Sequence, residues 1–126
     1  MERSKVFVYG TLKRGCRNHR FLRGARFLGE AALADFAMYR VASYPGIVPF
    51  PGEKVTGEVY EVDARTLQRL DMLEDEGELY ERRLLTVTKA DGEMLEAWVY
   101  VWKGDVPEKK RIETGTWEEL KTDRRG

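Results

Sequence analysis

Only one stretch of this chain carries the periodicity of a helix. Asp63 offers an N-cap, Leu67, Leu70 and Leu73 follow at helical spacing, and Gly77 can end the segment, which predicts a helix over about Ala64 to Glu74. The other apolar runs read as strands. Val6 to Tyr9 is β-branched and aromatic and is bounded by Gly10, the pattern of a buried strand. Ala31 to Val41 suits strand or helix by pattern, and the turn chemistry of Ser43, Tyr44, Pro45 and Gly46 favours strand. Pro49, Pro51 and Gly52 mark a further turn, after which Val55 to Val62 alternates as a strand with Gly57 as a possible bulge. Arg82 to Lys89 and Glu93 to Trp102 flank Ala90-Asp91-Gly92, a hairpin signal.

At 126 residues the chain is one domain's worth of sequence, and neither a repeat nor a linker divides it. From about Lys103 to Gly126 the segment is charged, with Val106, Ile112, Trp117 and Leu120 as its large apolar groups, so it is expected to wrap the surface with Trp117 as anchor. Lys plus Arg equals Asp plus Glu at 22 each, which argues against nucleic acid as a partner. The lone Cys16 cannot form an internal disulfide, and no Cys and His cluster offers a structural zinc site. The apolar stretch at Val6 to Tyr9 is too short for a signal-peptide core, and no run reaches membrane-spanning length, so a soluble cytoplasmic protein is expected.

The helix points to chemistry. At about 100° per residue, with Leu67 at 0°, Leu70 falls near −60°, Leu73 near −120° and Glu74 near −20°, inside the apolar stripe. Asp71 lies on the border at about +40°, Asp75 at about +80° and Glu76 at about 180°. An inward carboxylate is either paired, here with Arg82 or Arg83, or raised in pKa by desolvation and suited to acid/base work. The loop Gly10-Thr11-Leu12-Lys13-Arg14-Gly15 has the gap of a phosphate loop, yet Cys16-Arg17 stands where Lys and Ser or Thr are required. What remains is a Gly-containing loop whose amides can face an anion such as a carboxylate, or a plain tight turn. Cys16 and His19 could pair as thiolate and base. Lys13 to Arg26 carries six Lys or Arg and no acid, either a solvated face or an electropositive rim. Trp98, Tyr100 and Trp102 share one pleated face, whose exposure would leave a homodimer open beside a monomer.

Taken together, VFVYGTLKRG, YPGIVP, GEVYEV and LDMLEDEGELYERRLLTV resemble, in order and spacing, the gamma-glutamylcyclotransferase-like family over nearly the whole chain. Tyr9-Gly10-Thr11-Leu12 is similar to the family's Tyr-Gly-Ser/Thr-Leu signature, Leu70-Asp71-x-x-Glu74 and Tyr80-x-Arg82 to its second motif. Lys13-Arg14-Gly15 and Asn18-His19 resemble the branch that acts on gamma-glutamylamines. The resemblance implies an α+β fold, a small mixed β-barrel with flanking short helices, as one domain over residues 1–126. It implies a cavity where the signature loop meets the acidic helix end, and cyclisation of a γ-glutamyl group to 5-oxoproline with Glu74 as acid/base. The same likeness implies that Tyr9, Gly10, Thr11, Leu12 and Tyr80 bind a small γ-glutamyl substrate, with Tyr44 and Tyr100 as secondary candidates, and that no cofactor or metal is needed. The alternative is a non-catalytic module holding an amino-acid-like carboxylate in the same cavity. Where the family often has Gly directly after its glutamate, this chain has Asp75-Glu76-Gly77, so a shifted alignment would nominate Glu76, which the helical wheel places outward.

Overall fold

The computed structural model describes residues 3–119. Strands β1 (Arg3–Val8), β2 (Arg26–Arg40) and β3 (Pro45–Asp63) precede one helix, α1 (Ala64–Leu73), and β4 (Tyr80–Lys89), β5 (Met94–Trp102) and the short β6 (Arg111–Ile112) follow it. The spatial order β3-β1-β5-β4-β2 returns to β3, which closes a five-stranded mixed barrel, and β6 adds to β2 at Met38 and Tyr39. Every pair is antiparallel except β1 with β5, where Val6 lies opposite Trp98.

From Val6 to Val8, β1 is buried on both faces, which is why that stretch is unbroken apolar rather than alternating. Phe7 packs into the barrel with Val59, Val87 and Val99, whereas Val6 and Val8 pack outside it with Leu70, Tyr60 and Tyr100 beneath the helix. The aromatic strand expected to be free for a second copy is therefore covered. Tyr100 is buried, Trp98 and Trp102 are partly so, and the Arg82 guanidinium lies over the Trp98 ring at 4.4 Å.

Several boundaries differ from the sequence expectation. β2 starts at Arg26 instead of Ala31, and the turn after it is Val41 to Tyr44, so Pro45 and Gly46 already belong to β3. Pro49, Pro51 and Gly52 do not end a strand; β3 passes through them and bends. The extra residues are on β3 itself, where Phe50 to Glu53 stand opposite the single residue Asp35 of β2, whose φ is 66° and whose Oδ1 accepts from Gly52 N at 2.9 Å. Prolines are tolerated there because the ladder is already interrupted. Gly57 is not a bulge, since it pairs regularly with Ala31. It is glycine because a Cβ would run into the Val8 carbonyl oxygen and the Phe7 ring. The hairpin stands as read, from Tyr80 to Trp102 around Gly92, whose N–H donates to Lys89 O at 2.9 Å.

α1 begins as expected, with the Asp63 carboxylate accepting from Thr66 N at 2.8 Å. It ends one residue earlier than the periodicity suggests. Glu74 is the C-cap, Asp75 adopts φ 54°, and Asp75 N and Glu76 N donate to the carbonyls of Met72 and Asp71 at 3.2 and 2.9 Å, a Schellman closure. Position 75 is thus where glycine belongs on backbone grounds, and this chain carries Asp there. Leu70 is fully buried, but Leu73, expected on the same stripe, is 36% exposed because the helix ends there and Glu74 takes the inward position.

Past β5 the chain wraps back along β2 and β3. Thr56 N donates to Gly115 O at 2.9 Å, and Trp117, only 2% exposed, packs among the barrel residues beneath the Arg40 guanidinium. Leu120 lies outside the described residues. Trp117→Ala is expected to cost about 3–5 kcal/mol of stability, read as a lowered midpoint in urea unfolding at unchanged slope.

Candidate active site

The site forms where β1 runs out. Gly10 passes so close to Pro45 that a Cβ would sit 2.6 Å from its Cγ, so the signature loop and the start of β3 touch only because position 10 has no side chain. Asn18 clamps the loop from behind, its N–H on Thr11 O at 2.9 Å and its Nδ2 on Thr11 Oγ1 at 3.0 Å. His19 Nδ1 donates to Leu12 O at 2.9 Å. The turn is closed by donors from Lys13 onward, such as Lys13 N to Gly10 O at 3.1 Å, and the amides of Gly10, Thr11 and Leu12 stand outside that set.

The basic segment is largely a solvated face, with Arg14, Arg17, Arg20, Arg23 and Arg26 all exposed, and two of its arginines also brace the loop. Arg14 N donates to the buried Glu58 carboxylate at 3.0 Å, and its guanidinium lies 4.2 Å from the centre of the Phe27 ring. Arg17 grips Glu119 Oε2 at 2.7 Å and the Ser43 carbonyl at 2.6 Å, which joins the signature loop, the β2–β3 turn and the C-terminal strap. Cys16 and His19 form no nucleophile pair. The imidazole is committed to the Leu12 carbonyl, and burial, with Glu119 nearby, pushes the Cys16 thiol up rather than toward a thiolate.

Tyr9, Gly10, Thr11, Leu12, Tyr44, Glu74, Tyr80 and Tyr100 all line one cavity, together with Phe7, Val8 and Pro45. Every residue nominated from the sequence is thus in one place. The cavity is tight, about 30 Å³. Two wider depressions, of about 590 and 830 Å³, lie against the outer faces of β2–β3 and of the basic loop, and neither touches Glu74. Convergence of polar groups on a perturbed carboxyl outweighs size in choosing between them.

Glu74 has no cation beside it: among the described residues it makes no ion pair, and the expected partner Arg82 bonds Asp71 instead, Nε to Oδ1 at 3.3 Å. Desolvation therefore acts unopposed and pushes the Glu74 carboxyl from its ordinary 4.5 up to about 7. Asp71, one turn earlier, also accepts from Tyr100 Oη at 2.7 Å, a clamp that ties the end of α1 to β4 and β5. Sequence reading missed this clamp, although the border position of Asp71 on the wheel was its signal. Tyr9 Oη donates to Tyr100 O and Tyr80 Oη to Pro45 O, both at 2.6 Å. Burial raises the pKa of all three phenols, so they remain neutral at physiological pH.

A closed mixed barrel of five strands whose one helix delivers an unpaired carboxyl to a glycine-bearing loop defines a narrow class of protein. The chain matches the family described as gamma-glutamyl cyclotransferase, AIG2-like, over residues 6–119, and it belongs to that family as a gamma-glutamylcyclotransferase-like enzyme. It is 36% identical over 113 residues to the gamma-glutamylcyclotransferase family protein YtfP of Escherichia coli strain K12, covering 90% of this chain and 95% of that one. Among solved structures, a mouse AIG2-like protein superposes with a TM-score of 0.80 at 29% identity, covering 98% of this chain and all of that one. An uncharacterized protein of Pyrococcus horikoshii superposes with a TM-score of 0.72 at 35% identity, over 90% and 88% of the two chains. No helix among the described residues is long and apolar enough to cross a membrane.

The raised carboxyl has a cost in stability. The folded state holds the Glu74 proton up to about pH 7, whereas the unfolded chain releases it near 4.5, so stability falls as pH rises through that window and the deficit is complete above it. Glu74→Gln is expected to stabilise the fold by about 2–3 kcal/mol at pH 8 and by almost nothing at pH 4, measured by urea unfolding at both pH values.

Proposed function

We propose that this protein is a cytoplasmic, cofactor-independent cyclotransferase that converts a small γ-glutamyl amine or amide to 5-oxoproline and a free amine, with Glu74 as the general acid and base. The observation that carries the reading is the unpaired Glu74 carboxyl, raised to about 7 in the cavity of the signature loop. The substrate's α-amine is an ammonium at neutral pH and cannot attack until a base removes a proton. A carboxylate with a pKa near 7 is ionised often enough to accept that proton and acidic enough to return it.

The atoms balance with one group serving each transfer. Glu74 takes a proton from the ammonium, and the freed amine attacks the γ-carbonyl carbon to form the five-membered ring. Glu74, now protonated, gives that proton to the leaving nitrogen and takes the second proton of the ring nitrogen, the carbon–nitrogen bond to the leaving amine breaks, and the proton left on Glu74 passes to the released amine, which departs as an ammonium. The Gly10, Thr11 and Leu12 amides are the donors we assign to the substrate's α-carboxylate; these residues line the cavity and their amides stand outside the loop's own closing bonds, which supports that assignment. Tyr44 and Pro45 border the cavity from the other side.

The test is 5-oxoproline release by wild type and Glu74→Gln from γ-glutamyl amino acids, γ-glutamylamines and glutathione. Wild type is expected to turn over at least one class and the folded variant none, with a loss of about 10²-fold or more. The pH dependence of kcat/KM should rise through about 7 as Glu74 ionises in the free enzyme. Saturable binding of a γ-glutamyl compound with no release by folded wild type would replace this reading with the carboxylate-binding module.

A further inference from the structure

The three phenols of the Glu74 cavity have each committed their only proton elsewhere. Tyr9 Oη donates to the Tyr100 carbonyl and Tyr80 Oη to the Pro45 carbonyl, both at 2.6 Å, and a carbonyl oxygen cannot donate in return. Tyr100 Oη donates at 2.7 Å to Asp71 Oδ1, an oxygen that Arg82 Nε also holds at 3.3 Å, so this carboxylate too is the acceptor. A hydroxyl carries one proton and two lone pairs, so each phenol keeps acceptor capacity alone. All three phenols line the same cavity as the Glu74 carboxyl.

A wall of acceptors around a carboxylate has one natural complement. A primary ammonium carries three N–H donors, no acceptor and a positive charge, whereas a hydroxyl or amide offers fewer donors and no charge. We propose that Tyr9, Tyr80 and Tyr100 form with Glu74 a cage specific for the protonated α-amine of a γ-glutamyl compound, so that the enzyme selects its substrate by that ammonium.

This rests on the γ-glutamyl reading and adds a division of labour to it. The phenols have no proton left for an oxyanion, so stabilisation of the tetrahedral intermediate falls to backbone amides. Cyclisation turns an ammonium with three donors into a neutral lactam with one, so the cage loses its hold on the product as the ring closes.

The experiment measures binding without requiring turnover. By titration calorimetry at pH 7.5, L-glutamine is compared with its α-hydroxy isostere, in which an uncharged hydroxyl of similar size replaces the ammonium, on wild type and on Tyr9→Phe, Tyr80→Phe and Tyr100→Phe. Wild type should bind L-glutamine at least tenfold more tightly than the isostere, and each folded Phe variant should lose about three- to tenfold for L-glutamine with little change for the isostere. For any γ-glutamyl amine that is turned over, the same variants should raise KM by that factor, change kcat less than threefold and leave inhibition by 5-oxoproline within twofold. Equal binding of the two compounds by wild type, binding of neither at millimolar concentration, or a parallel loss for both in the Phe variants would overturn the cage. Discrimination in the calorimeter without 5-oxoproline release would uphold the cage and refute the cyclotransferase, so the two failures are separable.

Discussion

The burial of β1 on both faces is the constraint from which the site follows. A strand that is apolar on each side needs a barrel interior against Phe7 and a second cover against Val6 and Val8. The interior comes from the other strands of the closed sheet. The outer cover is α1, which Leu70 anchors, and the helix therefore ends beside the loop into which β1 empties. Signature loop and acidic helix end meet because they lie at the ends of two elements that must pack on each other. The close approach of Gly10 to Pro45 brings the start of β3 to the same point.

Within the site the chemistry turns on which carboxylate receives the cation. Asp71 and Glu74 are one helical turn apart, and Arg82 lies within reach of that helix end. Asp71 takes it, along with the Tyr100 proton, and becomes a structural clamp. Glu74 is left desolvated and unpaired, with its pKa near 7. Had Arg82 paired with Glu74, the carboxyl would be held down and unsuited to carry protons at neutral pH. The same division commits the proton of Tyr100 outward, and the carbonyls of Tyr100 and Pro45 do likewise for Tyr9 and Tyr80. The result is an acceptor-lined pocket held open to a cation.

The local excess of positive charge after the signature loop has in part an internal explanation. Arg14 meets Glu58 through its backbone N–H, and Arg17 joins the loop to Ser43 and Glu119, so these two residues brace the back of the site. The C-terminal strap enters the same arrangement through Trp117, which fills the barrel, and through Glu119. Exposed ion pairs of this kind contribute little individually; their value here is in holding two cavity-lining segments in register.

Much of this was legible in the sequence by itself. The Asp63 cap and the leucine spacing located the helix, its wheel turned Glu74 inward, the Asp-Gly signal located the hairpin, and motif order nominated Tyr9 to Leu12, Tyr44, Glu74, Tyr80 and Tyr100, which line one cavity. Those features are local, set by capping, periodicity and turn geometry within a few residues. The course of β3 through Pro49, Pro51 and Gly52 was not legible, because a proline normally ends a strand and it is tolerated here only where Phe50 to Glu53 bulge out opposite Asp35. Nor was the commitment of Arg82 to Asp71, or the direction of the phenol protons. These depend on partners from other strands, and desolvation of a carboxylate is decided by what tertiary packing places around it. The chain alone determined that a glutamate would face inward at the end of its one helix; the fold decided that it would do so without a counter-ion, and that is what suits it to move protons.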